Sequence, residues 1–270
     1  MLLHGNGSMI QDFQSSGLID LAAKKFHVIA FDRPGFGHSS RPRGIVWTPQ
    51  LQADLIDEAL AQLKIPPAIV LGHSWGTLVA IALALRHPQN VEALVLTSGY
   101  YYPTARSDVP VMSAPAVPVI GDILSYTISP MVSRLIWPML LRKIFGPSPV
   151  PRKFDGFPEE MAVRPSQIRA GAEESALMIP SARALRGAYG RLTMPVVLVA
   201  GENDRYVEAE QSVRLHRDIS HSTFRCVPGT GHMVHHTATA AIMSAIETAA
   251  GQEEKPAPAG AERHSVPIGD

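Results

Sequence analysis

Ala68-Ile69-Val70-Leu71-Gly72-His73-Ser74-Trp75-Gly76 is the stretch that decides the fold. Its apolar first half predicts a buried strand, and the apolar pattern of residues 77–85 predicts a helix directly after it. In a G-x-S-x-G turn the two glycines let strand and helix approach closely, and the serine sits in a strained conformation with its hydroxyl projecting from the sheet. Ser74 is therefore a candidate nucleophile. The alternative is a chance match, because serine is also common in ordinary turns.

The bulk composition describes an ordinary globular protein. The 270 residues are 46% hydrophobic and 18% charged, with 24 basic against 24 acidic side chains. This length fits one large domain or a domain carrying an insertion, and the scattered, balanced charge gives no support for a nucleic-acid partner. The single cysteine, Cys226, cannot form an intramolecular disulfide, and we interpret it as a core residue of a strand near Phe224.

Helices and strands alternate along the first hundred residues. A helical segment at 9–24 precedes a strand at 27–31, and Thr48 caps a helix that runs to Leu63 with one apolar stripe at 51, 55, 59 and 63. A further strand at 91–97 follows the turn at Ser74 and its helix. This alternation predicts an α/β fold with a mostly parallel, doubly wound sheet covered by helices on both faces.

The alternation is interrupted by an insertion of proline-broken helical pieces and resumes with a strand at 195–200. The predicted organisation is a core of residues 1–99 and 192–250, a helical cap of residues 100–191 and a disordered tail of residues 251–270. We expect most apolar residues of the insertion to form the core of the cap. They are Met112, Val117, Ile120, Ile123, Leu124, Tyr126, Met131, Leu135, Ile136, Trp137, Met139, Leu140 and Leu141.

Two later loops supply partners for Ser74. In a parallel sheet the functional groups gather at the carboxyl ends of the strands. The strand at 195–200 runs into a loop that contains Asp204, and the strand near Phe224 runs into a loop that ends at His232. The chain order Ser74, Asp204, His232 is the nucleophile–acid–base order of α/β hydrolases and differs from the order in chymotrypsin and in subtilisin.

Four motifs together resemble the α/β-hydrolase superfamily from His4 to about Ala250. They are the turn His4-Gly5-Asn6-Gly7, the loop Asp32-Arg33-Pro34-Gly35-Phe36-Gly37-His38-Ser39, the turn at Ser74, and the pair Asp204 and His232. The resemblance implies an α/β-hydrolase fold with a helical cap. It also implies an oxyanion hole made of the backbone N–H groups of Asn6 and Trp75, with His4 shaping the first of these turns.

Several of these residues allow a second assignment. Glu202 is the alternative acid, although the resemblance favours Asp204. His232, His235 and His236 lie close enough in sequence for a zinc site, but glycines place His232 in a loop and no carboxylate or cysteine completes the set. We expect surface or capping roles for His235 and His236, and a structural role for His73. No cofactor or metal is predicted.

The expected substrate is a hydrophobic ester. A serine at position 74 argues against epoxide hydrolases and haloalkane dehalogenases, which resemble this chain but use an aspartate there. The apolar cap predicts a carboxylic ester with a small to medium hydrophobic acyl group, cleaved through an acyl-enzyme intermediate. The alternatives are carbon–carbon bond hydrolysis, amide or peracid chemistry with the same serine triad, and a non-catalytic protein that uses the pocket to bind a ligand.

The amino-terminal segment is short for this superfamily. Members usually have two strands before the His-Gly motif, which begins here at His4, so the strand at 27–31 is predicted to be an exposed apolar edge. We expect either an upstream start or a divergent protein. No signal peptide is recognised, which favours the cytoplasm unless a signal or anchor lies upstream. Prolines interrupt the apolar stretch 109–133, so membrane contact stays open and is not predicted; the oligomeric state is undetermined.

Overall fold

A computed structural model describes residues 1–252 of the chain. Its strands are β1 (Leu2–Leu3), β2 (Ala30–Phe31), β3 (Ala68–His73), β4 (Val91–Thr97), β5 (Val196–Gly201) and β6 (Thr223–Val227). They form one sheet in the order β2-β1-β3-β4-β5-β6, and every adjacent pair is parallel. The predicted α/β fold with a parallel sheet is confirmed.

Helices connect these strands and cover both faces of the sheet. The α-helices of the described residues are α1 (Ile10–Ser16), α2 (Leu18–Ala22), α3 (Pro49–Leu63), α4 (Trp75–Arg86), α5 (Val109–Met112), α6 (Ile120–Tyr126), α7 (Ile128–Phe145), α8 (Glu159–Ala162), α9 (Pro165–Leu185), α10 (Glu210–Asp218), α11 (Val234–Thr237) and α12 (Thr239–Ala249). Leu94 and Leu96 of β4 pack in one apolar cluster with α3, α4 and α10. Val95 packs in a second cluster with α1, α2 and α12. Successive side chains of a strand point to opposite faces, so the sheet is buried on both sides.

The first helix and the edge strand are shorter than the sequence predicts. The helix expected at 9–24 is divided into α1 and α2 by Gly17, which has φ 77°. The strand expected at 27–31 is reduced to Ala30 and Phe31, because β1 offers only two residues for pairing. β2 lies at the edge of the sheet, as predicted, and both of its residues are half-buried.

The apolar stripe recognised in the sequence of α3 is not the stripe that packs in the core. Thr48 does cap this helix, accepting a hydrogen bond from the Leu51 N–H. However, Leu51, Leu55 and Leu63 are exposed, whereas Ala53, Ile56 and Leu60 pack in the cluster with α4. The helix carries two apolar stripes, and periodicity alone does not say which of them meets α4.

Cys226 is also placed differently from its prediction. It is an exposed residue of β6, the strand at the other edge of the sheet. An edge strand is protected by fewer neighbours than a central one, and the interpretation of Cys226 as a core residue was therefore wrong.

The chain between β4 and β5 is helical, with α5 to α9 and short 3₁₀ turns over the described residues. The expected apolar core of this cap is only partly formed. Trp137, Leu141 and Ile144 pack against buried phenylalanines, but Met131 and Leu135 are 72% and 82% exposed. α7 has apolar residues around most of its circumference, and a single neighbouring layer covers only one side. The division into core and cap stays a prediction.

Within residues 1–252 no single helix is long and apolar enough to cross a membrane. The segments Val109–Ala116 and Ile120–Tyr126 meet the length and composition criteria only as a pair, bent by 94° at the break between them. The tail predicted at 251–270 lies outside the described residues except for Gly251 and Gln252.

Candidate active site

Ser74 occupies a strained turn at the carboxyl end of β3, directly before α4. Its φ of 51° and ψ of −119° lie in a region that non-glycine residues avoid at a cost of about 1–3 kcal/mol. The two flanking glycines are sterically required. A Cβ at Gly72 would lie 2.6 Å from the Gly76 carbonyl oxygen, and a Cβ at Gly76 would lie 2.2 Å from the carbonyl oxygen of Leu3. The turn therefore depends on β1 and α4 packing together.

A cleft opens beside this turn, between the carboxyl ends of the strands and the helices α5 and α9. Its lining is mainly apolar and aromatic with a few polar side chains, as in many small-molecule sites. The lining residues are Asn6, Ser74, Trp75, Tyr100, Asp108, Val109, Met112, Ser175, Met178, Tyr206 and Val207. The serine is thus available to a bound molecule although it is only 9% exposed.

Asp204 and His232 meet at the same edge of the sheet, in the loops after β5 and β6. The His232 Nδ1 donates to Asp204 Oδ2 at 2.8 Å, and both side chains are buried. The other oxygen, Oδ1, accepts the backbone N–H groups of Tyr206 and Val207, each at 2.8 Å. Because a carboxylate accepts at Nδ1, Nε2 is the imidazole nitrogen left for other contacts.

The loops that carry this pair fit closely against each other. A Cβ on Gly201 would lie 2.3 Å from the Gly231 carbonyl oxygen, so the approach of the two loops requires glycine. The carboxylate of Glu202 accepts the N–H of Gly229 at 3.2 Å, on the exposed side of the loop. The hydrogen bond from His232 goes to Asp204 and not to Glu202.

Ser74 and His232 are linked indirectly through His73. The Nε2 of His73 donates to the His232 carbonyl oxygen at 3.1 Å, and the two rings lie 5.0 Å apart. Within the described part of the chain, the Ser74 hydroxyl makes no hydrogen bond to the His232 ring. Burial is the main cause that lowers the pKa of His73 well below its usual value, so this ring is neutral and holds its position as a donor.

The two residues expected to form an oxyanion hole both line the cleft. Among residues 1–252, no acceptor is found for the backbone N–H of Asn6 or of Trp75. The Asn6 side chain is held by α9, where its Nδ2 donates to the Gly171 carbonyl oxygen at 3.0 Å and to Ser175 Oγ at 3.1 Å. Two amide donors beside a nucleophile can stabilise an oxyanion if a substrate oxygen lies within their reach.

A buried ion pair supports the first of these turns, and sequence reasoning missed it. Arg33 and Glu174 form a two-point salt bridge with no solvent exposure of either side chain. Arg33 also donates to the carbonyl oxygens of His4 at 2.8 Å and Gly5 at 2.9 Å, and Gln52 accepts from it at 3.0 Å. The loop motif contains Arg33, but nothing local to residue 174 indicates that α9 supplies the partner.

The expected surface or capping roles of His235 and His236 are wrong, because both side chains are buried beside Asp12 of α1. His236 Nε2 donates to Asp12 Oδ1 at 2.6 Å, and His235 Nε2 lies 3.2 Å from Oδ2. Burial alone would raise the pKa of Asp12, but the two histidines hold it well below its usual range. The sequence gives no sign of this carboxylate, because Asp12 is more than 220 positions away from the two histidines.

The zinc grouping of His232 with these two residues is not what the structure shows. His232 Nδ1 faces Asp204, and the histidine that extends the Asp12 cluster is His73, whose ring lies 4.3 Å from that of His235. Ligand atoms of Asp12, His235 and His236 do lie within 4.8 Å of one another. Asp12 and His236 are hydrogen-bonded to each other, so two of these three residues already have a partner that is not a metal ion.

Fold and site together define a class of protein: a parallel α/β sheet whose strand ends present a serine turn and an aspartate–histidine pair beneath a helical layer. A model of the α/β hydrolase fold family matches residues 1–239, and the chain belongs to that family. It is therefore a hydrolase of the α/β type.

Three similar proteins illustrate the range of this family. An uncharacterized hydrolase, YugF, of Bacillus subtilis (strain 168) is 27% identical over 85% of this chain and 82% of its own length. A pimeloyl-[acyl-carrier protein] methyl ester esterase of Neisseria meningitidis serogroup C is 28% identical over 86% of this chain and 85% of its own. The structure of a thermophilic esterase from Thermogutta terrifontis superposes with a TM-score of 0.74 at 20% identity, over 92% of this chain and 87% of that one.

Proposed function

We propose that this protein is a serine hydrolase that cleaves carboxylic esters with a small to medium hydrophobic acyl group. The catalytic residues would be Ser74, Asp204 and His232, with the backbone N–H groups of Asn6 and Trp75 as the oxyanion hole. The observation that carries the proposal is the 2.8 Å hydrogen bond between Asp204 and His232 at the sheet edge where Ser74 occupies its strained turn.

In this mechanism Ser74 Oγ attacks the acyl carbon while His232 Nε2 takes its proton. Asp204 holds the imidazole in the tautomer whose Nε2 is free and stabilises the imidazolium that forms. The proton then passes to the leaving alcohol, and a water activated by His232 hydrolyses the acyl-enzyme. Hydrogen bonds between such residues are often long before substrate binds, so the unbonded Ser74 hydroxyl is compatible with this role.

The two unpaired amides supply the electrostatic part of the proposal. The carbonyl oxygen of the ester becomes an oxyanion in the tetrahedral intermediate, and the Asn6 and Trp75 N–H groups would donate to it. The loss of one such donor costs about 3 kcal/mol of barrier. The Arg33–Glu174 pair would act behind them by holding the His4-Gly5 carbonyls, and hence the Asn6 amide, in place.

The lining of the cleft favours an apolar acyl group. Val109, Met112 and Met178 contribute apolar surface, and the carboxylate of Asp108 in this lining is paired with Arg106 at 2.6 Å. A neutral ester would therefore meet no unpaired charge among these side chains. The Neisseria meningitidis relative named as a methyl ester esterase supports the same substrate class.

A fluorophosphonate probe tests the nucleophile. We expect covalent labelling of the wild type and none of Ser74→Ala. The matched control is Ser98→Ala, because Ser98 follows β4 with a similar φ of 48° but lies outside the cleft lining. Labelling that survives in Ser74→Ala, or a folded wild type that does not label, would contradict the proposal and favour the ligand-binding alternative.

A panel of p-nitrophenyl esters tests the substrate class. We expect kcat/KM to rise from acetyl to medium acyl chains and then to fall as the chain outgrows the cleft. A charged acyl chain should be a poor substrate. Turnover that is confined to amides would overturn the ester assignment while leaving the nucleophile intact.

A further inference from the structure

The cap exposes most of the large apolar side chains that this protein leaves in solvent. Of the seventeen exposed large hydrophobic residues among positions 1–252, twelve lie between residues 111 and 139. We call them the outer apolar face. They are Val111, Met112, Val117, Val119, Ile120, Ile123, Tyr126, Ile128, Met131, Val132, Leu135 and Met139. A concentration of exposed apolar side chains in one segment of a folded protein marks an interaction site.

The spacing along α7 shows that this face is organised. Its exposed apolar residues recur every three or four positions, at 128, 131, 132, 135 and 139, and so form one stripe of the helix. The inward stripe is a different set, Trp137, Leu141 and Ile144, which packs against the buried phenylalanines of the cap. The outer stripe therefore does not take part in packing the helix against the rest of the protein.

The face is continuous with the mouth of the cleft. Met112 lines the cleft beside Ser74 and is also 44% exposed, and its neighbour Val109 lines the cleft as well. Met112 therefore belongs both to the outer apolar face and to the lining of the cleft.

The charges around the face indicate what kind of layer fits it. Between residues 109 and 145 the chain has one acidic residue, Asp122, and three basic residues, Arg134, Arg142 and Lys143. Asp122 is neutralised by Arg43 and Arg134 by Glu160. Arg142 is exposed, follows Met139 along the outer side of α7 and has no carboxylate partner within the described residues.

We propose that the outer apolar face docks on an anionic phospholipid surface, with its apolar stripe in the interface and Arg142 among the headgroups. Helices with an apolar stripe and flanking cations bind membranes in this way. An anionic headgroup offers Arg142 a counter-charge, whereas the single carboxylate between residues 109 and 145, Asp122, is already paired with Arg43. The docking concerns the surface alone and does not depend on Ser74 being a nucleophile.

Vesicle flotation tests the docking. The full-length protein is mixed at low salt with vesicles of phosphatidylcholine alone, or of phosphatidylcholine with phosphatidylglycerol. We expect the wild type to float with the anionic vesicles, and the double variant Met131→Asp/Leu135→Asp to lose at least ~10-fold in bound fraction because two apolar contacts are removed. Arg142→Gln should weaken only the anionic arm, about fivefold.

Leu135→Asp by itself should show part of this loss, and its matched control is Leu63→Asp, which places the same single negative charge on an exposed leucine outside the outer apolar face. Leu63 is 62% exposed but lies at the end of α3, near the amino end of β3 and so away from the cleft. It should bind as the wild type does. An equal loss in Leu63→Asp, or no flotation of the wild type, would overturn the proposal.

Sedimentation velocity distinguishes the other occupant. If the wild type is a dimer, stays off vesicles and becomes a monomer in the double variant, then a second copy covers the face and the lipid proposal is wrong. Vesicle binding by Ser74→Ala at the wild-type level would show that docking stands apart from the hydrolase proposal.

Discussion

In β4 and β5 the large apolar side chains are buried on one face of the sheet or the other, whereas in α6 and α7 a whole set of them faces solvent. The first region is enclosed by two layers of helices and the second by one layer at most. The difference shows that a similar content of apolar residues leads to burial in one region and to exposure in the other. In the core it provides a close-packed frame for Ser74, Asp204 and His232, and in the cap it provides surface.

The largest expected effect of any substitution is on catalysis, at the strand ends of the core. Asp204→Asn should lower ester turnover at least ~10²-fold, because the imidazole of His232 loses the carboxylate that orients it. Initial rates with a soluble p-nitrophenyl ester check this. Glu202→Gln is the matched control and should keep its rate; a fall there with Asp204→Asn unchanged would move the acid to Glu202.

The buried ion pair between Arg33 and Glu174 of α9 should have the largest effect on stability. Glu174→Ala is expected to lower the free energy of unfolding by about 3–5 kcal/mol, because it leaves the buried Arg33 without its counter-ion. Denaturant unfolding measures this, and the exposed pair provides the control: Glu160→Ala, which frees Arg134, should leave the midpoint where it is. Equal midpoints for both variants would mean that α9 is not anchored through Arg33.

Leucine truncation sharpens the comparison of the two regions directly. Leu96→Ala removes a fully buried side chain of β4 and should cost about 2–5 kcal/mol, whereas Leu135→Ala on the outer apolar face should change stability by no more than about 0.5 kcal/mol. Denaturant unfolding of the wild type and of both variants measures these changes in the free energy of unfolding. A large loss in Leu135→Ala would show that this side chain is packed in solution and would break the contrast.

The pH dependence of stability comes from histidines of the core. Burial, reinforced by Arg33 at His4 and by His235 and His232 at His73, lowers the pKa of both rings well below the usual value. As pH falls below about 6.5 the unfolded chain binds protons that the folded chain does not, so the free energy of unfolding should fall by about 1.4 kcal/mol per pH unit for each histidine. Stability is fully retained above that range.

Denaturant midpoints at pH 7.5, 6.5 and 5.5 measure this slope. His73→Gln keeps a donor near the His232 carbonyl and should reduce the slope by one proton. A slope of zero between pH 6.5 and 5.5 in the wild type would mean that these rings titrate alike in the folded and unfolded chains.

Local chemistry made the strand–turn–helix at Ser74 and the alternation of strands and helices predictable, whereas the position of β2 at the sheet edge followed from the resemblance to the α/β-hydrolase superfamily. Glycine spacing, apolar runs and loop positions are read within about ten residues of one another, and the backbone responds to them locally. The same logic located the loops of Asp204 and His232, although it could not decide between Asp204 and Glu202 from the residues alone.

Only the tertiary structure decided which apolar stripe of α3 is buried, which of α7 is exposed, and which partners Asp12 and Arg33 have. Asp12 meets His236, and Arg33 meets Glu174, across 224 and 141 positions of the chain. A side chain carries no local signal of a partner so distant, because the contact exists only once the helices have packed. For the same reason the sequence could indicate the candidate catalytic groups, but not the ion pair that joins α9 to the turn beside them.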